Sequence, residues 1–258
     1  MVKSLTSDTD VDLYRTIFKR KSIRKFDLSP LDDIIINKIT EHIHNLTPLY
    51  ADIETEIKII SSDDVNLRSM KKAPHYLALF SDKKEGYLTN LGFMAQQMDL
   101  LFSASGIGSC WQGIPNPKGH VKKSSDLKFI ILIALGKPLE PLYRDSTSEF
   151  KRKPLQKITD IDNADKLLEP IRLAPSAINS QPWFFTGNKN VIHAYSNKPN
   201  FLKAILVNKY IPIDIGIAIY HLKVSAEHFG KTTEIFYDKT RNSLKGYKYF
   251  VTVNCGKN

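Results

Sequence analysis

Cysteine is scarce in this 258-residue chain: Cys110 and Cys255 are the only two, with no Cys-x-x-Cys spacing and no histidine cluster beside either. That excludes a disulfide framework, makes a zinc site unexpected, and sets a reducing cytoplasm as the expected location. Long apolar runs are missing too. The longest, Phe129–Leu135, is far short of the ~20 residues a membrane-spanning helix needs, so no membrane partner is expected. Residues 1–10 show no apolar segment of the kind a secretory leader carries. No Ser-His-Asp ordering or paired carboxylates stand out, and His75, His193, His221 and His228 are scattered along the chain. They read as structural or exposed, which leaves acid–base and hydrolytic chemistry without a candidate centre.

The residues that are present describe an ordinary globular protein. Apolar content of 42% and charged content of 25% fit one large domain or two intimate ones. The formal net charge of +10 invites a nucleic-acid partner. However, Lys and Arg are spread out, with local clusters only at 19–25 and 151–153, and no zinc-finger or basic-zipper spacing accompanies them. A positive surface equally attracts phosphate-bearing small molecules, and no nucleic-acid partner is expected.

The chain also resembles itself. Asn90-Leu91-Gly92 is followed by Gly106 at the spacing that separates Asp214-Ile215-Gly216 from Gly230. Between the markers both stretches read as apolar helices, 88–105 and its counterpart. Each is followed by a strand ending in Gly-Lys, at 127–137 and 246–257. Leu46-Thr47-Pro48-Leu49-Tyr50 looks like a degraded copy of Leu173-Ala174-Pro175-Ser176-Ala177. Two tandem related halves, 1–160 and 161–258, are therefore expected.

Two further stretches carry the chemistry. Ala174–Trp183 sets two prolines and a tryptophan around Ser176, Asn179, Ser180 and Gln181. It reads as a rigid polar loop between a helix end and the strand Trp183–Thr186. Far upstream, Arg20-Lys21-Ser22-Ile23-Arg24-Lys25-Phe26 leaves the end of a short helix, 12–18, with Leu13, Tyr14, Ile17 and Phe18 inward. Ala-Pro-Ser-x-x-Asn-Ser-Gln-Pro-Trp resembles a signature of the FMN-dependent nitroreductases, and the 20–26 segment is similar to that family's Arg-Arg-Ser-x-Arg-x-Phe element. The two normally lie close together; here they fall in different halves, as in a single-chain imitation of a homodimer.

The resemblance implies an α+β nitroreductase-like fold, with mainly antiparallel sheets flanked by helices around a central helix pair. It implies FMN as cofactor and NAD(P)H as reductant, with a nitroaromatic or quinone-like small molecule taking two electrons in a ping-pong cycle. No side chain is then a catalytic acid or base and no metal is needed. Arg20 and Ser22 match the phosphate-binding positions, with Lys21 between them also counted as cofactor-binding, and a guanidinium pairs with phosphate through a planar fork. Arg24 matches the cation beside flavin N1 and O2. Gln112 and Gly113, after Gly106 and Gly108 in a glycine-containing loop, match the groups aimed at O4 and N5, so that Arg24 and Gly113 tune the flavin. Asn66 matches an isoalloxazine contact, with Ser69 where some members have a basic residue. Arg152 matches a basic phosphate clamp, while Ser176 and Asn179 reach the pyrimidine edge and ribityl chain. Trp183 is expected in the core. One competent site per chain is implied, in a monomer acting as a pseudo-dimer. A flavin-binding or sensor protein without turnover is the alternative.

Overall fold

Helix and strand alternate in two rounds. The computed structural model describes residues 11–67, 72–197 and 208–257, so Ser69 lies outside the described residues. The chain divides into two units: Met1–Tyr87 with Gln97–Ser146, and Leu88–Gln96 with Thr147–Asn258.

In unit 1, helices α1 (Leu13–Ile17) and α2 (Asp33–His44) precede strands β1 (Thr55–Ser61), β2 (Val65–Asn66) and β3 (His75–Ser81). Helix α3 (Tyr87–Ala104) then leads to β4 (Gly108–Gln112), β5 (Asn116–Pro117), α4 (Gly119–Lys123) and β6 (Lys128–Gly136). A four-stranded sheet runs β1-β3-β6-β4, antiparallel at every step. The central strands read as continuous apolar runs, Tyr76–Phe80 and Ile131–Leu135, and all of these side chains are buried, as expected when both faces of a strand are covered. In α1 the buried positions are Thr16 and Ile17; Leu13, Tyr14 and Phe18, expected inward, are half-buried, and the rings of Tyr14 and Phe18 meet at 5.1 Å, tilted by 58°.

Unit 2 holds α5 (Asp165–Arg172), β7 (Trp183–Gly187), β8 (Val191–Asn197), α6 (Ile211–His228), β9 (Lys231–Phe236) and β10 (Tyr247–Lys257). Its sheet runs β7-β8-β10-β9, again antiparallel throughout. Strand by strand this is the order of the unit 1 sheet, and a long helix falls between the second and third strands of each sheet in chain order. The internal repeat expected from the sequence thus has a topological counterpart, and the α+β class with antiparallel sheets holds.

The Gly markers have a steric reason. Within unit 2, residues 88–96 of α3 cross α6 with the backbones in contact. A Cβ on Gly92 would lie 2.2 Å from the carbonyl oxygen of Ile213, and one on Gly216 would lie 2.0 Å from that of Thr89. Only hydrogen fits at either place. Beyond the crossing, Phe93 meets Tyr220 edge-to-face at 5.3 Å, and Gln96 Nε2 lies 3.2 Å from His221 Nε2. His221 Nδ1 is 2.8 Å from the Pro170 carbonyl, a structural role as expected.

That crossing also explains where the units divide. Residues 88–96 belong with unit 2, and so does 147–160, which the sequence places in the first half. The Phe185 N–H donates to Ile158 O at 2.8 Å and Thr159 bridges Phe185. The unit boundary therefore falls after Ser146 and not after residue 160.

Candidate functional site

Unit 1 gathers three of the sequence-predicted segments. The 20–26 stretch lies alongside β4, where Ile23 N–H donates to Ser109 O at 2.9 Å. A Cβ on Gly108 would come within 2.9 Å of the Ile23 side chain, so this glycine serves the packing of the basic segment. Ile23, Phe26, Val65 and Cys110 share one buried apolar cluster. Asn66, next to Val65, is paired across β2–β5 with Asn116 and its side chain is exposed. Gln112 lies on the same strand face as Cys110, by the two-residue period of a strand. It is 3% exposed, and its Oε1 has no partner among the described residues. A buried carboxamide oxygen in that state calls for a donor. Gly113, directly after it, is exposed.

The structure corrects the expected loop over 106–113. Gly106, at φ +85°, is the left-handed residue that ends α3, and Ile107 N–H closes back on Phe102 O at 2.8 Å, a glycine C-cap. Residues 108–112 are then strand, so the 106–113 segment is a cap, a strand and a strand end.

Arg20 is the sharpest departure from expectation. Its side chain is 1% exposed and faces Asp99, itself fully buried, with Nε 3.1 Å from Oδ2. The contact is an ion pair, for Nε does not point at an acceptor. Nη2 reaches Ser22 Oγ at 3.3 Å, and Ser109 Oγ donates to the other Asp99 oxygen at 2.7 Å. The Arg20 charge is spent inside the protein and is not offered to solvent, because a buried guanidinium requires a counter-charge. Positive charge open to solvent falls to Arg24 and Lys25, with Lys21 and Ser22 half-buried. A carboxylate sits among them: Glu140 Oε1 accepts the backbone N–H groups of Arg24 at 2.6 Å and Lys25 at 3.2 Å. Those hydrogen bonds, the Arg24 one foremost, and the charges of Lys21 and Lys25 hold its pKa below the usual carboxylate range.

Unit 2 carries the remaining predicted residues, and they too are together. The Ala174–Trp183 loop is locally strained: Ile178, Asn179 and Gln181 have φ of 47°, 57° and 46°, a left-handed conformation that non-glycine residues rarely adopt, least of all β-branched ones. Arg152, expected as a phosphate clamp, is instead the clamp of this loop. Its guanidinium donates to Ala174 O (3.1 Å), Leu173 O (3.2 Å), Phe150 O (2.8 Å) and Asn179 Oδ1 (2.6 Å). Asn179 Nδ2 donates to Lys151 O at 3.0 Å, and Ser176 Oγ accepts Gln181 N–H at 2.9 Å. Ile178, at the tip, is 72% exposed, and Trp183 is fully buried as expected. Below the turn, Asp214 accepts Ala177 N–H at 3.0 Å and Ser180 Oγ–H at 3.3 Å.

Three of these carboxylates escape the sequence reading. Asp99 leaves a signal, a lone acid in the apolar helical stretch Met98-Asp99-Leu100-Leu101-Phe102, a setting in which an acid is buried only when paired. Asp214 is visible as a repeat marker but not as a loop anchor. Nothing local distinguishes Glu140.

A family profile described as "Putative TM nitroreductase" matches residues 12–226. No curated protein matches. Among solved structures, a "putative nitroreductase" of Thermotoga maritima MSB8 is similar over 98% of this chain and 97% of its own, at 21% identity and a TM-score of 0.64. An FMN-dependent nitroreductase of Clostridium difficile R20291 matches over 55% of this chain and 94% of its own, at 18% identity and a TM-score of 0.40. A nitroreductase with bound FMN from Desulfitobacterium hafniense DCB-2 matches over 55% of this chain and 97% of its own, at 13% and 0.43. The first of these shows that the fold extends over nearly the whole chain.

Proposed function

Because the chain belongs to the TM nitroreductase family, we propose that it is an FMN-dependent NAD(P)H oxidoreductase that reduces nitroaromatic or quinone-like small molecules in a two-electron ping-pong cycle. The observation that carries this reading is the convergence in unit 1 of the 20–26, 65–66 and 108–113 segments around one apolar cluster. The residues there suit a flavin. Gln112 Oε1 is a buried acceptor in want of an N–H, which the pyrimidine ring of a flavin offers, and the exposed Arg24 supplies positive charge.

When bound, FMN would supply the electron transfer between nicotinamide and acceptor. The protein's part is to bind and orient. Lys21, Ser22 and Arg24 would take the anionic portions. Gln112 and Gly113 would address the ring edge and Asn66 its flank. Arg20 supports the segment from inside through Asp99. In unit 2, Arg152 supports the loop that presents Ser176 and Asn179. No titratable side chain is assigned a proton-transfer role.

The test is direct. Protein purified with FMN should be yellow, bleach anaerobically on addition of NADH or NADPH, and regain colour with a quinone. Colourless protein that takes up no FMN overturns the reading, whereas bound flavin that nicotinamide cannot bleach would mark a binding protein without turnover. The reading also assigns one FMN per chain. Arg24→Ala and Asn179→Ala should then each lower the whole of the bound flavin, and loss of half in each case would mean separate sites.

A further inference from the structure

Asp214 stands in the first turn of α6, 2% exposed, and its partners among the described residues are both neutral: the Ala177 amide and the Ser180 hydroxyl. A buried carboxyl without a counter-charge is expensive to keep. Its two oxygens grip the two residues that flank Ile178-Asn179, the exposed and strained tip of the loop. We infer that Asp214 is a positioning residue: its carboxylate fixes the Ala177–Ser180 turn and so sets how firmly Ile178 and Asn179 are presented to a ligand. The link to FMN rests on the reading above, while the order of the turn does not depend on it.

The strain makes such an anchor necessary. A left-handed non-glycine residue costs on the order of 1–3 kcal/mol and persists only where its surroundings hold it. Arg152 holds the turn at Asn179, and Gln181 is tied through Lys153 N–H at 2.7 Å. Ala177, ahead of those ties, and Ser180, between them, are held to the rest of the unit by Asp214.

The grip also depends on pH. Burial pushes the pKa of Asp214 up to about 7, against the pull of the two hydrogen bonds. The surrounding elements carry Lys151, Arg152 and Lys153 ahead of the loop, Asp165, Lys166, Glu169 and Arg172 on α5, and His193 on β8. Lys231 and Glu234 lie on β9, and Tyr220, His221, Lys223, Glu227 and His228 on α6 itself. None of them contributes to the shift, which is set by burial and the two bonds alone. Lifting the turn breaks its two bonds but leaves Asp214 buried in α6, so this local opening, unlike unfolding, costs a carboxylate above neutrality its two charge-assisted bonds. Below it the acid keeps one acceptor for Ala177 and turns donor toward Ser180, so the charge assistance is lost.

Amide hydrogen exchange of the flavin-free protein, corrected for the intrinsic pH dependence of exchange, tests this. Protection at Ala177 should be about tenfold higher at pH 8 than at pH 6 in the wild type, low at both in Asp214→Asn, and lower still in Asp214→Ala. Ser180→Ala, a milder change should the others fold poorly, should weaken it in the same direction. Pure FMN, titrated into the same proteins at pH 8, should bind about tenfold more weakly to Asp214→Asn than to wild type. Ala177 protection that is flat with pH and unchanged in Asp214→Asn overturns the inference. A loosened turn with unchanged FMN affinity upholds the positioning role and overturns instead the loop's assignment to flavin.

Discussion

The same slot in the two topologies, between a helix and the first strand of the sheet, is filled in opposite ways. In unit 1 it holds Leu46–Tyr50, where Thr47 exchanges two hydrogen bonds with Gln97: its N–H donates to Oε1 at 3.2 Å, and its carbonyl accepts from Nε2 at 2.7 Å. No residue of that stretch has a positive φ, and its anchor is a neutral carboxamide. In unit 2 the slot holds Ala174–Trp183, with three left-handed residues, an arginine clamp and a buried carboxyl. The contrast teaches that topology is kept cheaply, while strain and buried charge are kept only where something else requires them. The buried charges make the same point. Unit 1 neutralises Arg20 with Asp99, whereas Asp214 has only neutral partners among the described residues.

Breaking the unit 1 ion pair should have the largest effect. Asp99→Asn leaves a buried guanidinium unpaired and should destabilise by about 3–5 kcal/mol. Trp111 lies in unit 1 and Trp183 in unit 2, so chemical denaturation of single-tryptophan variants reports each unit separately. The loss should register first on Trp111.

Asp214→Asn should do the reverse for stability. The folded carboxyl titrates at about 7 against an ordinary 3.8, so folding favours its neutral form. That contribution is complete below pH 4, fades as pH rises to 7 and is absent above it. By the value of 1.36 kcal/mol per pKa unit the span is about 4 kcal/mol. The variant should therefore gain stability over wild type at pH 8 and none at pH 4, while its loop loosens. Parallel denaturation curves at the two pH values check this.

Arg152→Ala should cost about 2–3 kcal/mol and expose the Ile178 tip to proteolysis, since it strands three carbonyls and Asn179. Gln97→Ala, at the matching slot, should cost only about 1 kcal/mol and leave cleavage unchanged. Similar effects for both would erase the distinction between the loops. The smallest change is Ile178→Gly, which removes left-handed strain at an exposed site. It should stabilise unit 2 by about 1 kcal/mol in thermal unfolding.

Much of the fold was legible because it is written in local patterns. The apolar helices, the Gly markers and the Gly-Lys strand ends all lie where the sequence puts them, within about a residue, as boundaries permit. The candidate site was legible only as segments. Resemblance located the 20–26 stretch and the Ala-Pro-Ser loop, but it assigned Arg20 and Arg152 to phosphate. The partners that claim them, Asp99 and the Leu173–Ala174 carbonyls, are distant in sequence and carry no local mark.

What the sequence determined by itself, then, is which stretches are helix, strand or rigid loop, that they repeat, and which family they resemble, because periodicity, glycine and proline act over a few neighbouring residues. What only the tertiary structure decided is where each charge is spent: Arg20 inward, Arg152 on the loop, Asp214 beneath it. The energy of a buried charge depends on the partners that folding brings within 3–4 Å, and chain distance does not encode that.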